Sequence, residues 1–149
     1  MSAKCDFLLQ SDNSYQCVVT DLKIVEPDTK MFEFKADSTR IKVLIIHDQD
    51  IHYFPKNLPL FFPNLRELTM VNCKLKQITK DDLKGFDKLV SLDLSGNCLR
   101  YLPDDLFTHV PQLKIISVKN NNINMKFLEP LKNLKVLDIK GNNIIKFET

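Results

Sequence analysis

The sequence predicts a curved solenoid of the α/β type, with a parallel β-sheet on its concave face and a mostly irregular or 3₁₀ convex side. Two observations predict it: an apolar pattern that recurs five times, and a cysteine-bearing amino-terminal stretch that does not fit the pattern. The sharpest copy is Leu89-Val-Ser-Leu92-Asp-Leu94-Ser-Gly-Asn97-Cys-Leu99. Its spacing, L-x-x-L-x-L-x-x-N-x-L, is that of a leucine-rich repeat. Further copies run through Leu113, Ile116, Val118, Asn121 and Ile123, and through Leu134, Leu137, Ile139, Asn142 and Ile144. Upstream, Leu65, Leu68, Met70 and Leu75 keep the frame with Cys73 in the asparagine position, and Ile41, Leu44, Ile46 and Ile51 do so with Gln49 there. The starts at 41, 65, 89, 113 and 134 are spaced 24, 24, 24 and 21 residues apart.

Within each repeat, positions 4 and 6 point into the core from a short strand, and the residues between them face solvent. One such strand cannot bury its apolar side alone, so neighbouring units stack into a parallel sheet over a continuous core. The asparagine at position 9 turns inward where the chain leaves the strand and satisfies backbone groups left by the bend. Asn97, Asn121 and Asn142 are expected to form such a ladder, with Cys73 and Gln49 as weaker, less regular substitutes.

The return segments carry the second apolar layer: Leu58 with Phe62, Leu83 with Phe86, and Leu106 or Phe107 with Val110. Prolines at 55, 59, 63, 103 and 111 oppose long helices there. The shorter fourth return places Phe127, Leu128 and Leu131 in this layer.

Residues 1–40 read as an amino-terminal cap, and residues 41–149 as the five repeats. In the cap, Tyr15 to Ile24 alternates like a strand, Glu26-Pro27-Asp28 breaks it, and Met31-Phe-Glu-Phe34 follows as a second short strand. A β-hairpin of these two is expected to seal the first repeat. Cys5 and Cys17, twelve positions apart, are expected to form a disulfide that ties the terminus down. Cys73 at an inward position and Cys98 at an outward one are expected to stay free, because opposed Cβ directions would strain a bond between them. At the carboxyl end only Phe147 is available to cover the last unit, which leaves three alternatives: a native chain that continues, a neighbouring chain that covers the edge by self-association, or an exposed edge.

Composition narrows function. The chain has 149 residues, 44% apolar and 27% charged, with a net charge of +2. That suits one domain or one short repeat array and lacks the clustered positive charge of a nucleic-acid binder. The densest basic series, Lys74 to Lys88, is interrupted by Asp81, Asp82 and Asp87 and has no aromatic stacking platform. No apolar run reaches the ~18 to 20 residues that span a bilayer, so no membrane insertion is expected. The first fifteen residues lack the apolar core and cleavage pattern of a signal peptide. His47, His52 and His109 are scattered, no metal-ligand spacing occurs, and no phosphate loop or nucleophile motif is present. No enzyme activity, cofactor or metal is therefore expected.

The solvent-facing strand positions form three columns across the concave sheet. The first holds Val43, Glu67, Ser91, Ile115 and Val136. The second holds Ile45, Thr69, Asp93, Ser117 and Asp138, and the third His47, Val71, Ser95, Lys119 and Lys140. An apolar amino-terminal part beside a charged rim suits a protein partner. The candidate binding residues are Val43, Ile45, His47, Glu67, Thr69, Val71, Asp93, Lys119, Asp138 and Lys140.

Cys5 followed by Tyr15-Gln-Cys17-Val-Val-Thr-Asp-Leu-Lys-Ile24, then Met31-Phe-Glu-Phe34, resembles the amino-terminal cap of secreted insect leucine-rich-repeat immune proteins of the mosquito haemolymph type. The segment Ile41 to Pro55 and the Leu102-Pro-x-x-Leu-Phe107 stretch are similar too. The resemblance implies a short or truncated member: a secreted, extracellular, non-enzymatic recognition module of invertebrate innate immunity. It also implies a complement-like thioester protein as one possible partner. The later cysteines and coiled-coil heptads by which family members pair are not among these residues. The alternatives are a secreted or receptor-derived binding domain with a non-immune role, and an intracellular adaptor with reduced cysteines.

Overall fold

The computed structural model describes residues 4–27, 38–124 and 134–142. In chain order the strands are β1 (Lys4–Leu9), β2 (Tyr15–Thr20), β3 (Lys23–Ile24), β4 (Ile41–His47) and β5 (Asp50–Ile51), then β6 (Glu67–Val71), β7 (Ser91–Asp93), β8 (Ile115–Ser117) and β9 (Val136–Asp138). Two single-turn helices, α1 (Leu58–Phe61) and α2 (Lys80–Leu83), lie on the return segments. One seven-stranded sheet runs β1-β2-β4-β6-β7-β8-β9, parallel from β2 onward, and β3 pairs with β5 beside it.

Strand parity sets the core. Leu44, Leu68, Leu92 and Ile116 lie opposite one another across the sheet, and each is no more than 1% exposed. Ile46, Met70, Leu94 and Val118 add the second inward row. The returns close over it with Leu58, Phe62, Leu83, Phe86, Leu106 and Val110, all buried. Each helix lasts one turn. In α1 a proline occupies an opening position, where its missing N–H costs nothing. In α2 the Asp82 carboxylate reaches back to the Thr79 N–H at 2.8 Å. The convex side is otherwise irregular, as expected from its prolines, with these two single α-turns set into it.

The cap is built differently from its expected form. The hairpin pairs β1 with β2, antiparallel and in register from Lys4↔Thr20 to Leu9↔Tyr15. Its turn carries Asn13 at φ 65°, with the Gln10 N–H donating to Ser14 O at 2.8 Å and the Ser14 N–H to Asp12 Oδ1 at 3.0 Å. Tyr15 to Ile24 is not one strand: Asp21, at φ 57°, divides it into β2 and β3. The strand expected at Met31 to Phe34 lies outside the described residues, as do Phe127, Leu128, Leu131, Ile144 and Phe147. β2 then lies parallel against β4, continuing the inward rows with Cys17 beside Leu44 and Val19 beside Ile46. Cys5 and Cys17 are joined, with Cα atoms 5.2 Å apart, tying β1 to β2. Cys73 is buried and Cys98 exposed, and neither is in a disulfide.

Candidate functional site

The bends that hold the concave face rigid begin at position 9. Asn97 Oδ1 accepts from the backbone N–H groups of Cys73 (3.0 Å) and Leu75 (3.1 Å) in the preceding repeat. Its Nδ2 donates back to Met70 O and to Leu94 O. Asn121 repeats the pattern, taking the Leu99 N–H and donating to Leu94 O and Val118 O. Asn142 takes the Ile123 N–H and donates to Val118 O and Ile139 O. Each amide therefore bolts its own bend to the one before it. Gln49 extends the series into the cap by accepting the Leu22 N–H at 3.0 Å.

Cys73 breaks the series in an instructive way. Its thiol donates to Val71 O at 3.1 Å, but it has no amide oxygen to offer the Ile51 N–H. The Cys73 carbonyl takes that proton instead, at 2.9 Å, and the next residue, Lys74, is turned to φ 65°. Burial pushes the Cys73 thiol pKa up, which keeps it protonated and inert.

A second column was missed from sequence. Position 8 is left-handed in every repeat: Asp48, Asn72, Gly96, Asn120 and Gly141 all have φ between 52° and 72°. Asp, Asn and Gly are the residues that tolerate this conformation most readily. The Asn72 side chain fills the space where a Cβ on Gly96 would stand, and Asn120 does the same at Gly141. The alternation of Asn and Gly was the signal available in the sequence.

These bends present the outward columns in register. Val43, Glu67, Ser91, Ile115 and Val136 lie side by side, as do Ile45, Thr69, Asp93, Ser117 and Asp138. His47 pairs with Val71, whereas Ser95, Lys119 and Lys140 follow just beyond their strands. The cap lengthens the columns by residues absent from the sequence-based set, since Gln16 stands beside Val43 and Val18 beside Ile45. Ile115 is 44% exposed and Val136 50%; Val43, Ile45 and Val71 are half-buried.

Polar groups on this face are mostly satisfied locally. Asp93 Oδ1 accepts the Ser95 N–H at 2.9 Å, and Ser95 Oγ meets Ser117 Oγ at 2.8 Å. Lys119 Nζ lies 3.9 Å from Asp138 Oδ2. His47 Nδ1 sits 2.9 Å from Asp48, holding that carboxyl below its usual range. Among the described residues no cluster of His, Cys, Asp and Glu is arranged to hold a metal ion, and no helix is long and apolar enough to cross a membrane.

A family model described as leucine rich repeat matches residues 63–123. The chain is 28% identical to human Toll-like receptor 8 over 127 residues, covering 72% of this chain and 12% of the receptor. It is 32% identical to mouse vasorin over 88 residues, covering 56% of this chain and 13% of vasorin. The chain thus spans only a small part of the length of these curated relatives. Among solved structures, the LRIM1/APL1C complex superposes with a TM-score of 0.76 at 20% identity, over 99% of this chain and 28% of that one. The APL1 leucine-rich repeat domain gives 0.73 at 19%, over 91% and 38%. Repeat spacing, parallel sheet, amide ladder and these matches together give the chain the fold of a leucine-rich-repeat solenoid.

Proposed function

We propose that the chain is a non-enzymatic, extracellular protein-recognition module of invertebrate innate immunity that binds a protein partner through its concave face. Residues 1–40 act as the cap and residues 41–149 as five repeats. One observation carries the reading: Val43, Ile45, Val71, Ile115 and Val136 stand on the outward side of a rigid sheet, where the solenoid does not use them for its own core. Outward apolar groups, half-buried on β4 and β6 and exposed on β8 and β9, on a preorganised surface with a polar rim favour association at little ordering cost. The Cys5–Cys17 disulfide supports an oxidising compartment. The structural likeness to the LRIM1/APL1C complex, whose members assemble with each other, fits a protein-binding role.

Affinity capture from the extracellular fluid of the source organism, comparing wild type with Ile45→Asp, tests it. A protein partner retained by wild type and lost by a folded Ile45→Asp variant is the expected result. Equal retention by both would remove the concave face as the site.

A further inference from the structure

The charge layout of the concave face specifies the chemistry of what it binds. The apolar groups stand on both sides of a central strip: Val43 and Ile45 on β4, and Ile115 on β8 with Val136 on β9. Between them, β6 and β7 carry Glu67 and Asp93, with Val71 at the far end of β6 from Glu67. Register sets Glu67 opposite Ser91 and Thr69 opposite Asp93, so the two carboxylates lie diagonally on neighbouring strands. Their backbones are about 8 Å apart, from ~4.8 Å between strands and two residues of rise along them.

Neither carboxylate has a cationic partner among the described residues, in contrast to Asp138, which has Lys119, and Asp12, which has Lys42. Asp93 accepts the Ser95 N–H through Oδ1 alone, at 2.9 Å.

A partner that covers the apolar groups on β4 and β8 must also cover the strip between them. Withdrawing two carboxylates from water without a counter-charge is unfavourable. A cation placed between them offsets that cost and adds charge-assisted hydrogen bonds, for which a guanidinium fork is well shaped.

We infer that the concave face recognises a polypeptide segment carrying an arginine or lysine flanked by apolar side chains, with the cation seated between Glu67 and Asp93 and the apolar groups on Val43 and Ile45 at one side and Ile115 at the other. The inference rests on the concave-face reading above and adds the charge of the ligand to it.

Panning a random-peptide phage library against the immobilised protein tests it, with Glu67→Lys/Asp93→Lys and Ile45→Asp proteins used to score the selected peptides. Thermal melts establish that each variant is folded, and Ile45→Ser replaces Ile45→Asp if the latter is not. The expected winners carry Arg or Lys beside apolar residues. As synthetic peptides they lose at least about tenfold in affinity on Glu67→Lys/Asp93→Lys, bind more weakly as salt is raised, and are lost on the Ile45 variant. Winners that lose affinity on the Ile45 variant but ignore the charge reversal overturn this inference and leave the concave-face reading standing. Winners indifferent to both variants, or no enrichment at all, overturn both.

Discussion

Asn121 holds two repeats together with one side chain, accepting the Leu99 N–H and donating to Leu94 O and Val118 O. Replacing it with alanine leaves those groups unpaired, and Asn121→Ala is expected to cost roughly 1 to 3 kcal/mol in denaturant unfolding. The neighbouring position 8 imposes a steric condition as well. Gly96→Ala puts a Cβ on a residue at φ 67° and into the Asn72 side chain. It is expected to destabilise by roughly 1 to 2 kcal/mol from the left-handed backbone, plus the clash. Adding Asn72→Ala should recover the clash component and leave the backbone component, so a double-mutant cycle on melting temperature separates the two. The asparagine at position 9 was legible in the sequence because the repeat fixes its place. Position 8 was not, since its residue type varies between Asp, Asn and Gly and only backbone φ unites them. Cys73 was legible as an inward thiol, but the carbonyl turn that compensates for its missing amide was not. Native-state alkylation is expected to label Cys98, which is exposed, and to spare Cys73, which is buried with a raised pKa; labelling of Cys73 ahead of Cys98 would contradict that placement.

At the scale of elements, a hairpin cap was legible in the sequence but its strand Lys4–Leu9 was not. Lys4–Leu9 has no clear alternation, since Phe7, Leu8 and Leu9 are consecutive and all exposed. What fixes it as a strand is long-range: the register with β2 and the bond from Cys5 to Cys17. Removing that bond by Cys5→Ser/Cys17→Ser is expected to cost about 2 to 4 kcal/mol, in line with the loop entropy of a closure 12 residues long. The turn of the hairpin has its own pH dependence. Asp12 is held well below the usual carboxylate range, first by the Ser14 hydroxyl, then by the Ser14 backbone N–H and by Lys42. A folded pKa below the unfolded one means that the stabilisation is complete above the unfolded value of 3.8 and is lost as pH falls through and below it. Amide protection factors over Gln10 to Tyr15, taken relative to the intrinsic exchange rate at each pH, should therefore fall on acidification below about pH 4, and Asp12→Asn should abolish that dependence. The group is solvent-exposed, so the effect is expected to be local opening rather than global unfolding.

The whole molecule behaves as a one-dimensional stack, in which each repeat is stabilised by the neighbour on either side. That much was legible from five spaced copies of one pattern, because parity alone decides which residues face the core. The ligand-facing character of the sheet was legible only in part: the columns followed from parity, but the cap's contribution through Gln16 and Val18 required the register of β2 on β4. Stacking has a measurable corollary in residues of one type at one repeat position. Leu92 and Leu137 both occupy position 4 on their strands. Leu92, on β7 between β6 and β8, is 1% exposed, whereas Leu137, on β9, the last of the described strands, is 37% exposed. Leu92→Ala removes a side chain enclosed on all sides, and the cavity cannot collapse without moving two strands, so the cost is expected to be about 2 to 5 kcal/mol. Leu137→Ala removes a side chain that already meets water and leaves no enclosed cavity, so it is expected to cost about 1 kcal/mol or less. Chemical denaturation of the two variants side by side measures the difference. Equal costs would mean that β9 is as well covered as β7 and that the end of the sheet is closed by something the stack alone does not supply.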